Sequence, residues 1–383
     1  MTDNKAMALQ RLEWLKDDPG NMTLRLDTLT LALNNRLLDI ADQLIRTTPE
    51  SDRDNPNLRN LSGLLALKRG DAAAAIAHFE SLHDAGIVND ATRFNLAWCH
   101  ALEGRHEEAL ALLSDELAEA LPQAAALRVQ TLHTAGQFET AQEQAKALMT
   151  VHPEDRGLMA AISTLALDMA DRSLALTSAK KAGEHPDALT TLGLLHLEAN
   201  RTEEAEREFA RALALNDRQA RAWIGQGLAR LRNGFHEAAA QDLDCGARLF
   251  GTHLGSWLAA GWAYFSAGDL QTCRARFTTA MDIDPNFAES HGSLAVLNLV
   301  EGDSEAAERQ CEVAFRLNRQ CFSATLAKSI MLEAAGDTGK AQALVARAMA
   351  HPIDAEGRSL GAMLSGLTGG GAGSVIFGAN PLH

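Results

Sequence analysis

The side chains able to do chemistry are present, but their spacing does not assemble a reaction centre. Thirteen histidines are scattered along 383 residues. None falls in an HExxH motif or beside cysteines at zinc-ligand spacing. His78 and His83 stand five apart, with Glu80 between them on a different helical face. The two carboxylates of Asp282-Ile283-Asp284-Pro285 could serve as a general acid–base pair, but the segment reads more simply as a helix end stopped by proline. The glycines of 369–373 have no strand before them and no Lys-Ser/Thr after them, as a phosphate cradle requires. The run Glu203-Glu204-Ala205-Glu206-Arg207-Glu208 suits a solvated helix face with partners four residues apart. Cys99, Cys245, Cys273, Cys311 and Cys321 are an odd number without a CxxC pair, which fits reduced core residues of a cytosolic protein. The expectation is no enzyme, no metal and no cofactor.

Composition states what kind of scaffold would have to position any site. The chain holds 69 Ala and 57 Leu against 8 Val and 10 Ile. The best helix formers dominate and the β-branched residues of strands are nearly missing, so an all-α protein is expected. A net charge of −15 argues against a nucleic-acid partner, which needs a basic footprint. No basic run is longer than pairs such as Lys180-Lys181. The N-terminus lacks the apolar core of a signal peptide, and no stretch approaches the ~18–20 apolar residues that span a bilayer. A cytoplasmic protein without membrane insertion is expected. With 27 Arg to 8 Lys and abundant Ala, coding looks GC-rich, a lean toward a bacterial source.

A period organises nearly the whole chain. Gly70, Gly104, Gly136, Gly234, Gly268, Gly302 and Gly336 each follow an apolar helical segment. Five residues beyond each comes a small residue, from Ala75 to Ala341, and four further on a larger one such as Phe79, Leu243 or Phe277. With the glycine at position 15, units begin at Pro56, Asp90, Pro122, Ala220, Leu254, Ala288 and Phe322, most of them 34 residues apart. Weaker copies begin at Met22, Arg156 and Pro186, making ten. Each unit reads as two helices: an apolar stripe at positions 4, 7 and 11, a glycine turn at 15, a close helix contact at 20, and proline at 32 as in Pro153 and Pro285. Such a unit cannot bury its own faces, so the units must stack into a solenoid.

This pattern resembles the tetratricopeptide repeat (TPR) family. In the copy from Leu254 to Phe287, Trp257, Gly261, Tyr264, Gly268, Phe277, Ala280 and Pro285 fall on that family's positions 4, 8, 11, 15, 24, 27 and 32. Trp223, Gly227 and Gly234 match in the seventh copy, and Gly63, Gly70, Ala75 and Phe79 in the second. Departures are Cys273 at position 20 and the fifth and sixth copies, which lack the turn glycine. The resemblance implies a right-handed α-solenoid superhelix of stacked helix-turn-helix repeats. The interval from 156 to 186 is 30 residues and that from 90 to 122 is 32, which should alter stacking locally. The expected division is therefore a capping helix in 1–21, repeats 1–5 over 22–185, repeats 6–10 over 186–353, a capping helix over 354–368 and a Gly-rich tail over 369–383 with an apolar end.

In the resembled family, first-helix positions 2, 5, 9 and 12 face a concave groove where peptides bind. Carried over, position 9 holds Leu64, Trp98, Leu194, Leu228, Trp262, Val296 and Ile330; position 5 adds Phe94, Leu258 and Leu326; position 12 adds Phe265 and Leu299. These apolar residues either contact a ligand or pack on neighbouring first helices. The tryptophans favour ligand contact, since Trp is enriched at binding hot spots. The basic clamp that some family members use for acidic C-terminal tails is not supported, with only Arg221 at position 2 and Asn60 at position 5.

The resulting expectation is a scaffold or chaperone holding an apolar peptide or amphipathic helix, in the manner of proteins serving secretion, pilus or envelope assembly. The alternative is a non-catalytic targeting subunit of an enzyme complex. The tail residues Val375, Ile376 and Phe377 are expected to dock near Val296, Leu299, Leu326 and Ile330, in cis or in a dimer.

Overall fold

The computed structural model describes residues 2–350, with side chains from 4 onward. The described residues are helical throughout and contain no strand. The capping helix and tail expected beyond 353 lie outside the described residues. The chain divides into two compact units, Met1–Ala182 and Gly183–His383.

In unit 1 the first helices of repeats 1 to 5 are Met22–Asn34, Pro56–Arg69, Asp90–Leu102, Pro122–Thr134 and Arg156–Asp168. In unit 2 those of repeats 6 to 10 are Pro186–Glu198, Ala220–Arg232, Leu254–Ser266, Ala288–Val300 and Phe322–Ala334. All ten begin where the sequence period puts them, and every second helix begins at position 17. Proline opens three of the first helices, where its missing N–H is no loss.

What turns each pair is the backbone at position 15, which is left-handed in every repeat. Seven repeats use glycine there. The other three reach the same conformation with Arg36 at φ 56°, Ala170 at 59° and Asn200 at 59°, so the missing glycine changes the strain of the turn and not its geometry.

The helix pair is closed by two contacts. Position 20 is fully buried in all ten repeats, from Ala41 to Ala341 and including Cys273. Position 8 lies against position 24, and their sizes trade off. Gly63 faces Phe79, Gly193 faces Phe209, Gly227 faces Leu243 and Gly261 faces Phe277, with no room at any of them for a Cβ. At Gly63 such an atom would sit 2.7 Å from the Phe79 ring. Repeat 4 reverses the pair, with Val129 at position 8 and Ala145 at 24, both buried. Each completely buried Phe or Leu contributes roughly 1.5–3 kcal/mol.

The two short repeats depart from the others in their second helix. In repeat 3 that helix is split into His106–Leu112 and Asp115–Ala120, with Ser114 Oγ accepting from the Leu117 amide at 3.3 Å to start the second piece. In repeat 5 it runs only from Arg172 to Ala182, before Gly183 at φ 64°. Four missing residues are about one helical turn, so the inward face keeps its phase. The N-terminal helix runs over Thr2–Asp17 and buries Ala8, Leu12 and Leu15 in a cluster with Leu29, Leu33 and Ala41 of repeat 1.

Candidate functional site

The first helix of repeat 3 starts from a reciprocal cap. Asn89 Oδ1 accepts from the Thr92 amide at 2.9 Å, and Thr92 Oγ1 accepts from the Asn89 amide at 3.0 Å. Downstream of it Phe94, Trp98 and Leu102 follow one another at intervals of four on one helix face. Phe94 is half-buried against the cluster of Ala97, Leu113, Leu117 and Ala124. Trp98 leans on Phe94, ring centroids 6.1 Å apart, and is 43% exposed; Leu102 is 58% exposed. The three form an apolar ridge that rises out of the core.

The equivalent tryptophan of repeat 8 sits differently. Trp262 packs edge-on against Phe277 at 5.2 Å between centroids and against Phe265 at 5.5 Å. It is half-buried between two core clusters, and Phe265 is half-buried with it.

The other groove candidates divide by burial. Leu64, Leu194, Leu326 and Ile330 are half-buried at the margins of core clusters, and Leu228 is exposed. Leu258 and Val296 depart from the expectation, being 9% and 3% exposed and part of the core. For Val296 the reason is the close approach of the first helices of repeats 9 and 10. A Cβ on Gly292 would stand 2.5 Å from the Ala324 amide nitrogen. Glu289 fastens the same contact, its carboxylate accepting from the amides of Phe322 at 2.7 Å and Ser323 at 3.0 Å. The neighbouring helix therefore covers the face that would have lined a groove. Leu102 was not among the candidates, because position 13 lies outside the transferred set; its spacing from Phe94 and Trp98 is the signal that finds it.

No group of three or more His, Cys, Asp or Glu among the described residues could hold a metal ion. Burial pushes the thiols of Cys99, Cys273 and Cys321 up to about 12 and that of Cys311 to about 11, far from reactive thiolates. Cys245 alone of the five is exposed, against the expectation that all are core residues. No helix among the described residues is long and apolar enough to cross a membrane.

A tetratricopeptide-repeat family model matches residues 60–125 and 190–245. No curated protein sequence matches the chain. Among solved structures, the crystal structure of the APC/C hetero-tetramer Cut9–Hcn1 is 17% identical, with 91% of this chain and 71% of that chain covered and a TM-score of 0.60. The pilF structure of Pseudomonas aeruginosa is 18% identical over 55% of this chain and 96% of its own, TM-score 0.46. That of MamA is 16% identical over 41% and 92%, TM-score 0.35. At 17% identity the likeness to Cut9–Hcn1 speaks for the fold alone, and that fold agrees with the ten helix pairs in a common register, with a left-handed turn at every position 15. The chain contains tetratricopeptide repeats, matched over residues 60–125 and 190–245.

Proposed function

We propose that the chain is a non-enzymatic, cytoplasmic scaffold or chaperone that holds an apolar segment of a partner protein against its first helices. The observation that carries this reading is the ridge of Phe94, Trp98 and Leu102. Burying the free faces of a Trp and a Leu against a partner stabilises a complex by roughly 25 cal/mol per Å² of apolar surface removed from water. A ridge with fourfold spacing fits the groove side of an amphipathic helix as well as an extended peptide. Trp is also among the residues that most often dominate interface energies.

Co-purification from the native host tests the proposal. Full-length chain should retain one dominant partner that the double variant Trp98→Ala/Leu102→Ala loses, while circular dichroism and the thermal midpoint stay at parental values. An unchanged set of bound proteins would remove the ridge from the function. A stoichiometric enzyme, held equally well by both forms, would point instead to a targeting subunit of an enzyme complex.

A further inference from the structure

Unit 2 carries a second surface on the other side of its first helices. A groove of about 730 Å³ lies between the second helices of repeats 9 (Ser304–Leu317) and 10 (Thr338–Ala350), reaching Lys328 on the first helix of repeat 10. Its first-helix wall is formed from positions 4 and 7, which at 100° per residue point away from positions 2, 5, 9 and 12. Phe315 and Leu344 give it half-buried apolar walls. Arg316, Arg319, Lys328 and Arg347 ring those walls, against Glu312 as the one carboxylate in the lining.

The charge there is largely unanswered. Lys328 has Glu308 at 3.7 Å, but Arg316, Arg319 and Arg347 make no ion pair among the described residues. A groove in the same register of unit 1, about 420 Å³, is lined by Arg46, Arg53 and Arg59. In both grooves an arginine, Arg53 or Arg319, stands at position 32, where repeats 4 and 8 have proline. In unit 1, however, Arg59 pairs with Asp54 and Arg46 with Asp42, so two of the three guanidinium groups are already satisfied. Of the two grooves, that of repeats 9 and 10 keeps the larger excess of unpaired cations, in a chain whose net charge is −15.

From this geometry we infer that the groove of repeats 9 and 10 docks an acidic peptide segment of a partner, carrying apolar side chains between its carboxylates. Guanidinium forks grip carboxylates with two parallel hydrogen bonds. Phe315 and Leu344 take the intervening apolar side chains. Complementary charge also speeds encounter and makes binding weaken as salt rises. The site is independent of the Trp98 ridge, and variants of one leave the other intact.

Anisotropy titration of the full chain with a short fluorescein-labelled peptide of alternating Glu and Leu, beside its Gln–Leu analogue, tests the inference. Only the acidic peptide should bind, more weakly as salt rises. Arg316→Glu/Arg319→Glu should weaken it by at least about tenfold with no change in thermal midpoint, because both side chains are solvent-exposed. Trp98→Ala should leave it unchanged. Equal binding of the Gln–Leu peptide, or undiminished binding by the charge-reversed variant, would overturn the inference. So would tighter binding of a single-stranded oligonucleotide of equal charge, which would make the site one for nucleic acid. Tighter acidic-peptide binding by Asp354→Asn/Glu356→Gln would assign the groove to the chain's own C-terminal segment.

Discussion

Repeats 3 and 8 both carry tryptophan at position 9, yet Trp98 is 43% exposed while Trp262 is packed against Phe277. The turn is not the source of the difference, since Gly104 and Gly268 are both left-handed. The second helix is. Repeat 8 pairs Gly261 with Phe277, and the large ring reaches past the glycine to touch the neighbouring indole. Repeat 3 pairs Ala97 with Leu113, and Trp98 is left with Phe94 as its ring partner. The residue at position 24, together with the neighbouring helix, thus sets whether the tryptophan beside position 8 belongs to the core or to the surface. Chain identity at position 9 alone does not carry function.

The largest effect is expected where this contact has no slack. Gly261→Leu drives a side chain into the Phe277 ring and should cost about 3 kcal/mol, since overpacking a close-packed core typically costs 1–3 kcal/mol or more. In repeat 3 the gentler Ala97→Gly should cost roughly 1 kcal/mol, from lost packing and helix propensity. Urea titration of both variants ranks them. A Gly261→Leu midpoint equal to the parent's would mean that positions 8 and 24 do not meet.

Next come the tryptophans themselves. Trp262→Ala removes a half-buried ring with two aromatic neighbours and should cost about 2 kcal/mol. Trp98→Ala should cost under about 0.5 kcal/mol, as surface substitutions do. Equal losses at the two positions would erase the distinction between a core indole and a binding one.

A third contrast lies at position 23, where repeat 3 has Leu112 and repeat 8 has Arg276. Arg276 binds both carboxylate oxygens of Asp244, which is 6% exposed, and stacks over Trp257 and Tyr264 at 5.9 Å from each ring. Arg248 is the second partner of Asp244, at 2.9 Å. Arg276→Leu should cost about 1–2 kcal/mol, below the ~3–5 kcal/mol for breaking an isolated buried pair, because Arg248 still answers the charge. The loss should shrink when Asp244→Asn is added, and a double-mutant cycle with no coupling would show that the contact is idle.

How much of this was legible beforehand depends on the range of the interaction. The helix pairs follow from residues that act within one unit: the turn at position 15, the small residue at 20 and, in three repeats, proline at the first helical position. These constraints are local and recur, so a period exposes them. The fate of Leu258, Val296 and Trp262 depends on which neighbouring helix comes close and on the size of a side chain fifteen or more residues away. Gly292 is the clearest case. In sequence it is one more glycine in an apolar helix, and in the fold it brings repeat 10 near enough to bury Val296. The split second helix of repeat 3 was hidden for a related reason: a two-residue deletion states that something shortens, and Ser114 as a new cap decides where.

The last contrast concerns the turns that lack glycine, and it separates geometry from strain. Repeats 3 and 8 make the turn with glycine, whereas Ala170 holds the same left-handed backbone at φ 59° with a Cβ attached. For an L residue that conformation costs roughly 1–2 kcal/mol relative to the right-handed one. Replacing Ala by Gly relieves this but enlarges the conformational entropy of the unfolded chain by roughly 0.4–1 kcal/mol, which works against it. The difference favours the variant. Ala170→Gly should therefore raise stability by about 1 kcal/mol, visible as a higher urea midpoint with an unchanged slope. The reverse change in a glycine turn, Gly268→Ala, should lower it by a similar amount. If Ala170→Gly destabilises instead, the short second helix of repeat 5 must draw its turn rigidity from alanine, and the equivalence of the ten turns would hold in shape but not in energy.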